Sequence, residues 1–376
     1  MSVAVSSREE LAAALRDAGG PVRFRGGGTK LHWGATGRPA TELSTARLDR
    51  VVEHNAGDLT AVLEAGVPLE RAQATFAEAD QMLALDPPDP GGATIGGLVA
   101  TGDSGPLRSR YGAARDLVVG VTVALSDGTV AKAGGKVIKN VAGYDLAKLF
   151  TGSFGTLGAI LEVSVRLHPL PPATISAAAG STDPGELARA ARELSHAQLE
   201  HIGLDVRFGG GDGAVLVRFG GAACREQADA AARVLSRAGL EGSVVEDDEQ
   251  AWRLQREGQR SADGTVVRVS SVQTQLEAVM AAAGRLGARL VGRVPLGLSW
   301  LRLENHSPEE AARAVEELRA ELAPSPCVVL DAPDELRGLV EPWPQPHPGA
   351  LELMRRVKQR FDPAGICNPG VFVGGI

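Results

Sequence analysis

The residues of this chain best suited to chemistry are three clusters of glycine with polar neighbours. The first, "FRGGGTK" (Phe24 to Lys30), sets Gly26, Gly27 and Gly28 between Arg25 and the pair Thr29-Lys30. Glycine has no Cβ, so its backbone N–H groups can turn inward and approach a ligand, and a row of them forms a nest for anions. Taken alone, the run reads equally well as a surface turn. It is not a Walker loop, because GxxxxGK[ST] does not occur. The second cluster lies in "DPPDPGGATIGGLVATGDSGPLRSRYG", Asp86 to Gly112. It combines hydroxyls, glycines and an apolar "TIGGLVATG", which suits burial against a large flat ligand. It lacks the GxGxxG spacing and no clean strand precedes it, so a doubly wound nicotinamide domain is not expected. The third runs from Gly134 to Ile160 and holds Lys136, Lys139 and Asn140 close together. By itself it is an ordinary loop and helix with solvated lysines.

Composition narrows the chemistry. The 376 residues are enough for two ordinary domains and for a sizeable core without disulfide or metal staples. The formal net charge of −7 supplies no basic excess, which disfavours nucleic acid as a general partner. Cys224, Cys327 and Cys367 lie far apart with no CxxC, so neither a zinc site nor an iron–sulfur cluster of the usual kind is expected, and a reducing cytoplasm suits them. The N-terminus lacks a basic region followed by an apolar core, so no signal peptide is expected. No window approaches about 18 uninterrupted apolar residues, so no membrane-spanning helix is expected.

Several elements must position the clusters. Ser6 or Ser7 caps a first helix with Leu11, Ala14, Leu15 and Ala18 at helical spacing. "VRF" then runs as a strand into the first glycine loop. "LTAVLEAGV" alternates like a strand, and Pro68 opens a helix. The stretch from Asp86 to Gly112 is too rich in glycine and proline for regular structure. "DLVVGVTVALSDGTVAKAG" reads as two strands around Asp127-Gly128, "VAGYDLAKLF" as a short helix and "LGAILEVSVRLHP" as a strand. "PLPPA" (Pro169 to Ala173) marks a boundary. Beyond it, helices near 184–199, 222–238, 272–287 and 308–323 alternate with strand-like runs. That rhythm predicts an α+β unit with helices on one face of a mostly antiparallel sheet. A helix from about Gly349 to Phe361 precedes the ending "DPAGICNPGVFVGGI".

Together the three clusters resemble the FAD-binding domain of the vanillyl-alcohol oxidase and p-cresol methylhydroxylase type. The likeness covers about residues 1–170, and "FDPAGICNPGVF" is similar to that family's usual ending near the flavin. It implies an α+β protein with a two-part FAD-binding domain over 1–170, a cap domain with an antiparallel sheet over 171–340, and a C-terminal segment, 341–376, returning to the first. It also implies which residues hold FAD. The first loop would contribute Arg25, Gly26, Gly27, Gly28, Thr29 and Lys30 at the pyrophosphate. The second would add Pro87, Thr94, Ile95, Gly96, Gly97, Thr101, Gly102, Ser104 and Gly105. Gly155, Thr156, Gly158 and Ile160 would close the adenine and ribose side, with Asn368 from the tail.

"SGPLRSRYGAARDLVVGV" followed by "GGKVIKNVAGYDLAKLFTGSFGTLG" is further similar to the E subunits of bacterial glycolate oxidases, most specifically in "KNVAGYD" (Lys139 to Asp145). That resemblance implies a cytoplasmic FAD-carrying part of a complex with a second flavin subunit and an iron–sulfur subunit. Such a complex oxidises glycolate to glyoxylate and passes electrons towards quinones, meeting the membrane only through its partners.

The chain departs from catalytically competent relatives at two points. Those relatives hold a divalent metal with paired histidines and a glutamate. Here His32, His54, His168, His196, His201, His306 and His347 show no HxxxxxxH or HExxH spacing, so no metal is expected. Relatives with covalent flavin place a histidine or cysteine where this chain has Thr29-Lys30 and Asp103-Ser104, so non-covalent FAD is expected. An arginine fork suits a substrate carboxylate, and Arg253, Arg256, Arg268, Arg293 and Arg302 are candidates. No residue is singled out as a base. Three functions stay open: an FAD subunit of a 2-hydroxy-acid-oxidising complex, a self-sufficient flavoprotein oxidase or dehydrogenase, and a non-catalytic scaffold.

Overall fold

The computed structural model describes residues 2–37, 41–88, 91–135 and 144–376. Lys136, Lys139 and Asn140 of the third cluster lie outside the described residues.

The N-terminal part delivers the glycine loops. Ser7 caps the helix Arg8–Arg16 by accepting from the Glu10 N–H, and that helix buries Leu11, Ala12 and Leu15. It packs beside a parallel three-stranded sheet of Ser2–Ala4, Thr41–Ser44 and Val22–Arg25, with Thr41–Ser44 in the middle. Val22–Arg25 runs directly into the first glycine loop. An antiparallel five-stranded sheet follows, ordered Val51–Asn55, Thr60–Glu64, Ala159–Arg166, Val118–Ala124, Val130–Gly134. The predicted hairpin turn is present, with Gly128 at φ +81°.

One expectation fails. The glycine- and proline-rich stretch is not irregular throughout: Ile95–Thr101 is helical and Arg108–Tyr111 forms a single turn. Thr94 caps the first of these helices through Gly97 N–H, and Gly102 ends it in the left-handed region. Ile95, Leu98 and Val99 are buried, so helical spacing of apolar residues overrides the poor propensity of Gly96 and Gly97.

The second part is an eight-stranded sheet in which every pairing is antiparallel. Its order is Ser243–Val245, Thr174–Gly180, Asp212–Gly220, Gly203–Gly209, Arg289–Arg293, Leu298–Leu303, Thr265–Ser270, Cys327–Val329. Helices Pro184–His196, Cys224–Arg237, Leu276–Arg285 and Pro308–Glu321 bury Leu187, Leu235, Val279 and Val315 in a common core with strand residues such as Val215, Val267 and Leu301. A helix not foreseen, Glu249–Glu257, seats Trp252 against the sheet, where its indole N–H donates to Ser176 Oγ at 2.8 Å. The N-terminal part reaches the sheet through Trp33, which packs with Val266, Val291, Trp300 and Leu330.

The chain then returns. Helix Pro348–Phe361 sets Phe361 edge-on against Phe150, with centroids 5.5 Å apart. Lys358 Nζ pairs with Asp362 at 2.6 Å and donates to the carbonyls of Thr156 (2.7 Å) and Cys367 (2.9 Å), which ties the tail to the third glycine cluster. Among the described residues no helix is long and apolar enough to cross a membrane.

Candidate functional site

The three glycine clusters and the tail converge on one open cleft. From the first loop, Gly26, Gly27, Gly28, Thr29 and Lys30 line it. Thr94, Gly96, Gly97 and Thr101 come from the second, Gly155, Gly158 and Ile160 from the third, and Asn368 from the tail.

The first two loops touch so closely that side chains are excluded between them. A Cβ on Gly27 would lie 1.7 Å from the Gly92 carbonyl oxygen, and one on Gly26 would lie 2.1 Å from Thr94 Oγ1. Asn368 joins the remaining pieces. Its Oδ1 accepts from Phe24 N–H at 2.9 Å, and its Nδ2 donates to the Phe154 carbonyl at 2.6 Å.

The loop's own hydrogen bonding uses its carbonyls and leaves its N–H groups unpaired. The carbonyls of Gly28 and Lys30 accept from Leu31 and Trp33 N–H. Among the described residues, the backbone N–H groups of Gly26, Gly27, Gly28, Thr29 and Lys30 have no acceptor in the protein. Gly27 is exposed, but Gly26, Gly28 and Thr29 are half-buried and Lys30 is buried, where N–H groups are nearly always paired, so these four are free for a group outside the chain. Glycine-built backbone donors lining a cleft suit an anionic group such as the pyrophosphate of a dinucleotide.

Lys30 plays a different part from that of a phosphate lysine. Its ammonium is buried and pairs with Asp103 at 3.2 Å, beside the Trp33 ring at 5.7 Å. Its charge is therefore committed to joining the first loop to the second. The other residues expected at the cofactor do not line the cleft. Arg25 pairs with Glu42 at 3.3 Å. Pro87 and Ile95 are buried, and Gly102 is the helix cap. The Ser104 carbonyl accepts from Gln259 Nε2 at 3.0 Å, and a Cβ on Gly105 would strike the Asp86 carbonyl oxygen at 1.7 Å. Thr156 Oγ1 donates to the Ser153 carbonyl at 2.7 Å. These residues shape the loops that carry the cleft.

Sequence reasoning missed several lining residues: Arg23, Trp33, Thr45, Phe154 and Val371. It also missed what holds the first loop. Asp331, from the far end of the eight-stranded sheet, accepts from Trp33 Nε1 (2.8 Å), His32 Nε2 (2.8 Å), Arg260 Nε (2.8 Å) and Ser261 N–H (3.0 Å). Burial alone would raise its pKa; the bonds from His32, Arg260 and Ser261 outweigh that and hold it at about 2.

The five candidate arginines separate by partner. Arg253 is exposed and lies 3.8 Å from Glu257, while Arg256 pairs with Glu249 and Arg302 with Glu304. Arg293 is fully buried against Asp205 at 2.6 Å. Arg268 makes no ion pair among the described residues and leaves Nε buried without a partner. Its pKa is lowered by burial and by the guanidinium of Arg108, with Asp103 opposing. Arg108 NH1 donates to Ser104 Oγ at 3.4 Å, and neither Arg108 nor Arg268 lines the cleft. Among the described residues no group of three or more histidine, cysteine, aspartate or glutamate side chains could hold a metal ion.

Comparison with known proteins agrees with this geometry. Residues 1–134 match the family described as FAD binding domain, and residues 345–372 match the C-terminal domain of FAD linked oxidases. Glycolate oxidase subunit GlcE of Escherichia coli is 38% identical over 159 residues, 42% of this chain and 45% of that protein. A D-lactate dehydrogenase of Archaeoglobus fulgidus is 39% identical over 173 residues, 44% of this chain and 38% of that protein. Glycolate oxidase subunit GlcD of Bacillus subtilis is 37% identical over 159 residues, 40% of this chain and 32% of that protein. The match thus spans less than half the length of these relatives. A solved alkyldihydroxyacetonephosphate synthase shares the fold at a TM-score of 0.73 and 15% identity, covering 98% of this chain and 76% of that one.

Proposed function

We propose that this chain is an FAD-linked oxidoreductase, a reading supported by the match of residues 1–134 to the FAD binding domain and of residues 345–372 to the C-terminal domain of FAD linked oxidases. On that premise we propose that it is the FAD-carrying subunit of a complex that oxidises glycolate or a related 2-hydroxy acid to the 2-oxo acid. One observation carries the binding part of this reading: the five backbone N–H groups of Gly26 to Lys30 face a cleft without an acceptor in the protein. They hold the FAD pyrophosphate, non-covalently, while Asn368 and Gly155 keep the third cluster and the tail against it. Bound FAD supplies the acceptor for the hydride that leaves the α-carbon.

On the substrate side the candidate for the carboxylate is Arg268, whose Nε is buried without a partner and whose planar fork suits such a group. Support for the substrate class comes from the matched relatives, whose names include glycolate oxidase subunits, D-lactate dehydrogenases and a D-2-hydroxyglutarate dehydrogenase. Three isolated cysteines, all buried, give the electrons no iron–sulfur exit inside this chain, which is why the reading includes a cysteine-rich partner and a second flavin subunit.

The test is to recover the chain from its native cells with its partners and to add glycolate without oxygen. The proposal expects an iron–sulfur protein to co-purify and the flavin to bleach. Rapid glycolate-dependent dye reduction by the chain alone would refute the dependence on partners. An assembled complex that neither reduces dye nor bleaches with any short 2-hydroxy acid would refute the activity.

A further inference from the structure

Two adjacent residues of the eight-stranded part reach across to the two glycine loops. Arg260 NH2 donates to the Thr29 carbonyl at 3.1 Å, and Gln259 Nε2 donates to the Ser104 carbonyl at 3.0 Å. These acceptors flank the Lys30–Asp103 ion pair, with Thr29 just before Lys30 and Ser104 just after Asp103. We propose that Gln259 and Arg260 form a clip that holds the two loops of the FAD cleft closed across the Lys30–Asp103 bridge, so that FAD release requires the clip to open. This rests on the reading that FAD lies in this cleft.

Both clip residues are held firmly from behind. Gln259 is buried and its Oε1 accepts from Arg293, which is itself fixed by Asp205 at 2.6 Å. Arg260 is fixed by Asp331 and stacks over Trp33 with its guanidinium 5.1 Å from the ring centroid. A donor whose position is set by a buried partner loses little freedom when it also bonds a loop carbonyl, so the clip transmits the position of the sheet to the loops. Neither residue touches the cleft itself, so they act by positioning. Linkage makes the effect reciprocal: if the clip favours bound FAD, bound FAD must favour the clipped arrangement by the same factor.

The test uses the full chain loaded with FAD. Gln259→Leu removes one donor. Arg260→Lys keeps a cation for Asp331 but loses the fork that serves Asp331 and Thr29 together. Arg253→Ala, exposed one to two turns earlier, is the control. FAD release is followed by the gain in flavin fluorescence on dilution, and melting temperature is measured with and without FAD. Each clip variant is expected to release FAD about tenfold faster, the worth of one such hydrogen bond, and the extra stability that FAD confers should shrink. Equal losses of melting temperature with and without FAD, at an unchanged release rate, overturn the clip and leave a merely structural role. If Gly27→Ala abolishes FAD binding while both clip variants release FAD at the wild-type rate, the clip fails and the cleft assignment stands. If the wild-type chain takes up no FAD, both fall.

Discussion

Adding a single methyl group at Gly27 tests the cradle at its tightest point. The new Cβ would sit 1.7 Å from the Gly92 carbonyl oxygen, whereas real contacts of this kind essentially never fall below 3.0 Å, so the two loops must part by at least 1.3 Å there. The obstacle is backbone, which cannot rotate away as a side-chain tip can. Hydrogen bonds of ordinary length do not survive displacement by more than about an ångström. If the shift removes only two of the five N–H contacts to the pyrophosphate, at about 1.5–3 kcal/mol for each bond to a charged acceptor, the FAD Kd rises about 100-fold or more. Overpacking of the fold itself costs about 1–3 kcal/mol, so the protein should still fold. Gly20→Ala is the matched control, since no heavy atom lies within 4 Å of its Cβ. Quenching of flavin fluorescence on titration gives the two affinities, and circular dichroism checks folding. Wild-type FAD affinity in folded Gly27→Ala would refute the assignment of these N–H groups to the cofactor.

Three further outcomes follow from the surrounding contacts. Asp331→Asn takes the charge from the knot that holds Trp33, His32 and Arg260, and breaking such a buried pair should cost about 3–5 kcal/mol in a denaturant melt. Because the folded pKa of Asp331 is about 2 against an ordinary 3.8, its stabilisation is present above about pH 4 and is lost as pH falls towards 2. Melts across that window should be steep for the wild type and flatter for Asp331→Asn. Asp86 shows the opposite sign. Burial raises its pKa to about 7, with Arg293 and the Leu107 N–H opposing, so the folded state keeps a proton that the unfolded chain has lost, and stability falls as pH rises from about 4 to 7. Asp86→Asn should reduce that slope without abolishing it, since burial also raises Asp205; an unchanged slope would count against the account. Asn368→Ala leaves Phe24 N–H and the Phe154 carbonyl without their partner, which should cost about 1–3 kcal/mol and weaken FAD retention together.

What could be read from the sequence was the local part of this site. The glycine clusters announced themselves because close backbone approach has no substitute for glycine, and the structure brings Gly26–Lys30, Thr94, Gly96, Gly97, Gly155, Gly158 and Ile160 to one cleft. The rhythm of helices and strands beyond Pro169 foretold helices on one face of an antiparallel sheet, since amphipathic periods survive in a single sequence. The helix Ile95–Thr101 was legible only through the spacing of Ile95, Leu98 and Val99 behind a Thr94 cap, a signal masked by its glycines. The supports were not legible at all. Asp331 meets Trp33 across 298 residues, and Gln259 meets Ser104 across 155, so nothing in the local pattern of either pair points to the other. The same distance hid the commitment of Lys30, whose position behind three glycines suggests a phosphate ligand until Asp103 is seen beside it.

The central claim is that this cleft holds one FAD without a covalent bond. The direct measurement is the visible spectrum of the purified full chain before and after acid precipitation, alongside Gly27→Ala. About one flavin per chain is expected, released entirely into the acid supernatant and missing from the variant. A chain that stays colourless after soaking in FAD, a flavin that stays with the precipitate, or a fully loaded Gly27→Ala would contradict it.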